Sequence, residues 1–164
     1  MNYNPILIVT GEPNSVFLEI FFKVQKKYKI INPVILISSN KLLSMQMQKL
    51  KFKKKIKLLN PSKLNEYNLD NKTINLINVD YNPDLAFEKI SNKSNIFIEN
   101  SFNLAFKIIK KYKISKFING PISKKSFLNK KFLGITEYIS KKFKTNKTCM
   151  LIYNKELSVC PITT

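Results

Sequence analysis

Three features of this sequence predict an α/β fold with a largely parallel sheet, flanking helices and a C-terminal antiparallel hairpin. Short continuous apolar runs at residues 6–9 and 34–37 lack the alternation of a half-solvated strand, so they read as strands buried on both faces, and 74–79 reads as another strand. Amphipathic stretches lie between such runs, and strands alternating with helices build a parallel sheet with helical crossovers. The last two extended segments, 148–153 and 156–163, are joined by too few residues for a crossover, so they must pair antiparallel.

The first strand ends at Thr10-Gly11, and a helix over 15–28 follows. Its Val16, Ile20 and Val24 recur at four-residue spacing. Pro33 breaks the chain ahead of the second strand, and Ser38-Ser39-Asn40 can cap a helix over 41–49 that offers Leu42, Met45 and Met47 for packing. Residues 55–59 alternate and are expected as an outer strand; 60–72 are polar and read as a loop. Tyr81-Asn-Pro-Asp84 is a turn expected to lead into a short helix. The longest helical pattern spans 95–112, with Ile98, Phe102, Ala105, Phe106 and Ile109 on one face. Lysines gather at its C-terminal end, where the helix dipole favours them. A buried strand over 116–119 enters the turn at Gly120-Pro121, and helices are expected over 123–129 and 136–143. A two-residue turn at Asn154-Lys155 would pair Tyr153 with Glu156 and set Cys149 opposite Cys160. That predicts two neighbouring free thiols packed as small apolar residues.

The 164 residues suffice for one domain with a core, and 44% hydrophobic content argues against disorder. No apolar run is long enough to span a membrane, and Met1-Asn-Tyr-Asn-Pro5 lacks the marks of a signal peptide, so a soluble, cytoplasmic protein is expected. Two cysteines are too few for a disulfide framework and have no histidine with which to share a metal. A net charge of +19 invites a lysine-rich nucleic-acid-binding module as a competing reading. All 29 basic residues are lysine, however, spread along the chain, and readers of bases favour the planar fork of arginine. Specific nucleic-acid binding is therefore not expected.

Small-molecule sites in α/β proteins gather at turns beyond the carboxyl ends of strands. Gly11 and Glu12 stand at the first such turn, where a glycine lets backbone approach a ligand, although a strand-to-helix turn uses a glycine anyway. Gly120-Pro-Ile-Ser-Lys124 is a second turn; Lys124 falls where a helix begins, a place the dipole disfavours for a cation, and a phosphate or carboxylate partner and a plain solvated lysine stand as equal readings. In Gly134-Ile-Thr-Glu137, Thr136 can cap a helix or bind a ligand. No serine–histidine or cysteine–histidine pair, Walker loop or Gly-x-Gly-x-x-Gly is present, so the catalytic residues stay unassigned.

Gly120-Pro-Ile-Ser-Lys124 followed by Gly134-Ile-Thr-Glu137 resembles the 4-hydroxythreonine-4-phosphate dehydrogenases of vitamin B6 biosynthesis, which carry Gly-Pro-Ile-x-Lys and then Gly-His-Thr-Glu. Gly11-Glu-Pro13 with Glu19, and Glu156-Leu-Ser-Val159 with Ile162-Thr-Thr164, match further family segments, while two later glycines of the first segment are lost. The resemblance implies the N-terminal part of an isocitrate/isopropylmalate dehydrogenase-like fold. It implies Thr136 and Lys124 as substrate-binding residues, with Ile135 in place of the family histidine, and Gly11, Glu12 and Gly120 as turn contacts. It further implies a phosphorylated small-molecule substrate, NAD or NADP, a divalent zinc, magnesium or cobalt ion, and a homodimer. The resemblance covers residues 1–164 but only the first half of the family's length, without its metal-binding histidines. The expectation is a truncated N-terminal portion, or else a single α/β domain, with no dehydrogenase activity alone. A related sugar-acid phosphate dehydrogenase is the alternative within the family, kept open by Ile135.

Overall fold

The computed structural model describes residues 4–128, 132, 134–145 and 147–161. Strands β1 (Ile6–Val9), β2 (Val34–Ser38), β3 (Ile56–Leu58), β4 (Ile74–Asn78) and β5 (Lys116–Asn119) form one sheet in the order β3-β4-β2-β1-β5. Every pairing in it is parallel. Helices α1 (Phe17–Lys27) and α2 (Asn40–Lys49) cross on one face; α3 (Asn95–Tyr112) and α4 (Ile135–Phe143) lie on the other.

The two-residue period of the strands divides their side chains between two cores. Leu7, Val9, Ile35, Ile37 and Ile77 meet α3, whereas Ile8, Val34, Leu36, Ile74 and Leu76 meet α1 and α2. Burial on both faces is why β1 and β2 read as nearly unbroken apolar runs, while β4 buries Asn75 among its apolar residues. The fifth strand differs from the expectation of burial: β5 pairs only with β1, stands at the sheet edge, and leaves Ile118 46% exposed.

Helix α1 buries a different stripe from the predicted one. Leu18, Phe21 and Phe22 face the core, while Val16 and Ile20 are 60% and 52% exposed. A helix turns one stripe inward, and the aromatic stripe removes more apolar surface from water than the β-branched one. Helix α2 starts as predicted: the Ser39 side chain accepts from the Leu42 N–H at 3.3 Å. It buries Leu42, Leu43, Gln46 and Met47, with Met45 only half-buried. Helix α3 carries the predicted face, and Lys113 in the left-handed region closes it. The segment after Asp84 forms no helix of its own; the next turn, Asn92–Ser94, is the short lead into α3.

Three predicted elements change near the carboxyl end. The helix expected over 123–129 is a single wide turn, Lys124–Leu128, and its last expected residue lies outside the described ones. The hairpin reduces to one antiparallel bridge, Ile152↔Val159, with a 2.9 Å hydrogen bond in each direction. Its register is displaced by two residues from the predicted Tyr153–Glu156 pairing, and residues 153–158 form the loop. Asn154 organises that loop: its side chain accepts from the Glu156 N–H at 2.9 Å, and its carbonyl accepts from the Ser158 hydroxyl at 3.2 Å. An even displacement preserves which face each residue occupies, so Cys149 and Cys160 remain neighbours; both are exposed, not packed as predicted. Ile162-Thr-Thr164 lies outside the described residues.

Phe102 is fully buried and touches the rings of Phe106, Phe117, Phe127 and Tyr138. Phe102→Ala should cost about 3–5 kcal/mol in urea unfolding, and Ile20→Ala on the solvent stripe of α1 less than about 0.5 kcal/mol. Equal losses would contradict the assigned faces.

Candidate functional site

Strands β1 and β5 are neighbours whose outgoing connections diverge, one to α1 and the other to the α3 face. This is the topological switch at which open α/β sheets form ligand crevices. Here the two exits close on each other. The Gly120 N–H donates to the Val9 carbonyl at 2.7 Å, and the Glu12 N–H donates to the Pro121 carbonyl at 2.8 Å. A Cβ on Gly120 would overlap the Thr10 carbonyl oxygen, and one on Gly11, where φ is +69°, would overlap that of Pro121. Both glycines are required by the approach of one turn to the other, and backbone fills the space between these strand ends.

Glu12 is also turned inward, with 2% of its surface exposed. One carboxylate oxygen accepts from the Ser94 hydroxyl at 2.9 Å, the other from the Asn14 N–H at 3.2 Å. The first turn is thereby tied to the start of α3. Gln46 ties it to α2: its amide donates to the carbonyls of Pro13 and Ala86 at 2.9 and 2.8 Å. Asn14 in turn accepts from the Glu88 N–H at 3.0 Å. Hydrogen bonds from the Leu85 and then the Asp84 N–H hold the Glu88 carboxyl below its usual range. Sequence reasoning missed Ser94, Gln46 and Glu88, because their partners lie tens of residues away and no local spacing signals them.

The other predicted residues stand on the α3 face. Lys124 opens the wide turn after Pro121 and is exposed. That turn is closed by the Phe127 N–H donating to the Ser123 carbonyl at 2.8 Å, and Phe127 stacks on Phe102. Thr136 is half-buried in the first turn of α4. The helix has no side-chain cap; Gly134 occupies the cap position in extended conformation, so Thr136 is not the capping residue. Its carbonyl accepts from the Ser140 hydroxyl at 2.8 Å. Ile135, in place of the family histidine, packs against the core around α3.

Thr136, Glu137, Ser140, Lys141, Lys144, Thr145 and Thr148 line a cavity of about 580 Å³. Four hydroxyls, two ammonium groups and the Glu137 carboxylate give this surface a polar lining of mixed charge. Lys124 is not among its lining residues. Tyr138 anchors the helix behind the cavity with its ring among those of Phe102, Phe106, Phe127 and Phe132. Burial, and then the charge of Glu99, push its phenol up to about 12. Among the described residues, no three His, Cys, Asp or Glu side chains are placed to hold a metal ion.

A family model described as pyridoxal phosphate biosynthetic protein PdxA matches residues 29–164, which include both the Gly120 and Gly134 segments. A 4-hydroxythreonine-4-phosphate dehydrogenase structure from Burkholderia phymatum superposes with a TM-score of 0.80 at 22% identity, covering 97% of this chain and 49% of that one. One from Klebsiella pneumoniae gives 0.79 at 16% identity, covering 96% and 50%. At these identities the likeness is one of fold, and this chain spans about half the length of the solved structures it matches. No curated protein matches the sequence.

Gly120→Ala should destabilise the chain by about 3 kcal/mol or more, since backbone must move to admit the methyl group. Gly134→Ala, whose new methyl meets only the flexible Glu137 carboxylate at 3.0 Å, should cost less than about 1 kcal/mol. Chemical denaturation compares them, and similar losses would deny the backbone contact its role.

Proposed function

The chain belongs to the PdxA family of pyridoxal phosphate biosynthesis, and from that premise we propose that it is the amino-terminal portion of a dehydrogenase acting on 4-hydroxythreonine 4-phosphate. The proposed reaction is NAD(P)-dependent oxidation of the substrate hydroxyl, followed by decarboxylation. The observation that carries this reading is the match over 29–164, because it runs through both segments that hold the proposed substrate contacts.

In this reading Lys124 presents its exposed ammonium to the phosphate or carboxylate of the substrate, where a charge-assisted hydrogen bond is stronger than a neutral one. Thr136 offers a hydroxyl at the rim of its cavity to orient the substrate. Gly11, Glu12 and Gly120 shape the turn that carries Lys124 and do not touch ligand themselves. The site is completed by a second copy in a homodimer, and the protein works in the cytoplasm. In support of a non-membrane setting, no helix among the described residues is long and apolar enough to cross a membrane.

NAD or NADP would accept the hydride, and a divalent zinc, magnesium or cobalt ion would polarise the hydroxyl and then the ketone. The residues described do not fit either group. No carboxylate, thiol and imidazole set converges, the sequence has no histidine, and backbone occupies the β1–β5 switch. The chain by itself is proposed to bind substrate without turning it over. A related sugar-acid phosphate as substrate is the second reading. It is favoured by Ile135, whose packed apolar side chain can neither donate nor accept a hydrogen bond.

Calorimetric titration with 4-hydroxythreonine 4-phosphate should show saturable binding. Lys124→Ala should weaken it by about 1.5–3 kcal/mol and Thr136→Ala by about 0.5–1.5 kcal/mol, with melting temperatures nearly unchanged. Unaltered affinity in both variants would remove these residues from the site. With NAD and added zinc or magnesium, no NADH should form; metal-dependent NADH formation by this chain would overturn the proposal of an incomplete site.

A further inference from the structure

We propose that Cys149 and Cys160 form a dithiol site that reacts with low-molecular-weight disulfides and closes an intramolecular disulfide across the carboxyl-terminal arm. The two sulfurs stand 3.3 Å apart, both cysteines are exposed, and neither is already bonded. They are the only cysteines in the sequence, so no other thiol of the chain competes for either.

The arm holds this geometry. The Ile152↔Val159 bridge lies between the cysteines and the loop, and Asn154 braces the loop through Glu156 and Ser158. Extending the register of the bridge sets the cysteines diagonally on one face, so closing the bond draws the two segments of the arm together as the side chains turn. A disulfide bond is about 2 Å long, so the sulfurs, 3.3 Å apart, must approach by about 1 Å. Exposure also admits the reagent, since exchange requires access to a thiolate.

The reaction balances in two exchanges. One thiolate attacks a sulfur of the small disulfide, forming a mixed disulfide and expelling one small thiolate. The second protein thiolate attacks the protein-side sulfur of that mixed bond and expels the other. The two cysteines lose two electrons and two protons, and the small disulfide is reduced to two thiols. The hydrogen bond with Cys149 pushes the Cys160 thiol above its ordinary range, which suits it to the second, proximity-driven step. Glutathione disulfide fits as reagent, because its carboxylates are drawn to a chain of net charge +19.

The test uses the purified, reduced chain with glutathione disulfide, acid quenching, intact mass and tryptic mapping. The expected product is lighter than the reduced chain by two hydrogens. Cleavage after Lys147 and Lys155 should leave peptides 148–155 and 156–164 joined until a reductant is added. Cys160→Ser and Cys149→Ser should instead keep one glutathione each, because the resolving thiol is gone; both positions are exposed, so folding should be unaffected. Two glutathione molecules retained on the unsubstituted chain, disulfide-linked dimers, or no reaction at either thiol would each overturn the proposal.

Discussion

The contact between the turns leaving β1 and β5 is the constraint on which the rest of this structure depends. Two glycines let two backbones meet where side chains would collide. That contact extends the β1–β5 pairing beyond the strands and fixes the direction in which the chain leaves the sheet edge. The position of Lys124 and the wide turn around it follow from that direction. The same contact removes the open crevice that the sheet topology would otherwise provide.

A second organising element is the aromatic group centred on Phe102. Phe106 comes from the same helix, Phe117 from the edge strand, Phe127 from the wide turn and Tyr138 from α4. Edge-to-face and offset contacts among rings supply stability beyond the area they bury. Here they also dock segments that have few backbone hydrogen bonds to the sheet. The Tyr138 hydroxyl is buried with no hydrogen-bond partner among the described residues, and burial, then the charge of Glu99, raises its phenol to about 12. A group whose proton is held more tightly when folded favours the folded state below its unfolded value, near 10. That contribution is lost as pH rises through about 12.

The lysine excess has a physical outlet other than nucleic acid. Ammonium groups of Lys26, Lys57, Lys110, Lys141 and Lys142 lie over the rings of Phe52, Tyr67, Phe143, Phe132 and Tyr138. These lysines border different faces, so they cover apolar edges with their stems instead of forming one cationic stripe. In the dense basic run, Lys54 is partly buried and hydrogen-bonded to Gln25; desolvation lowers its pKa, against a smaller raising effect of Asp70.

Much of the architecture was legible in the sequence because its signals are local. Apolar runs marked β1 and β2, the Ser39 cap fixed the start of α2, and the periodicity of 95–112 gave α3 its limits and most of its face. Glycine and proline at 120 and 121 marked a turn of consequence. What local pattern lacked was knowledge of neighbours. It offered two apolar stripes on α1, and only the facing sheet chose the aromatic one. It gave β5 an apolar stretch but not its place at the edge. It allowed a two-residue turn at Asn154-Lys155, while side-chain hydrogen bonds from Asn154 made the loop longer. At the site, residue types pointed to Gly11, Glu12, Gly120, Lys124 and Thr136. Tertiary structure brings Gly11 and Gly120 against opposing backbone and Glu12 against Ser94, partners that come from distant parts of the chain. A sequence displays which groups are available; which of them are left facing solvent depends on what the rest of the chain brings against them.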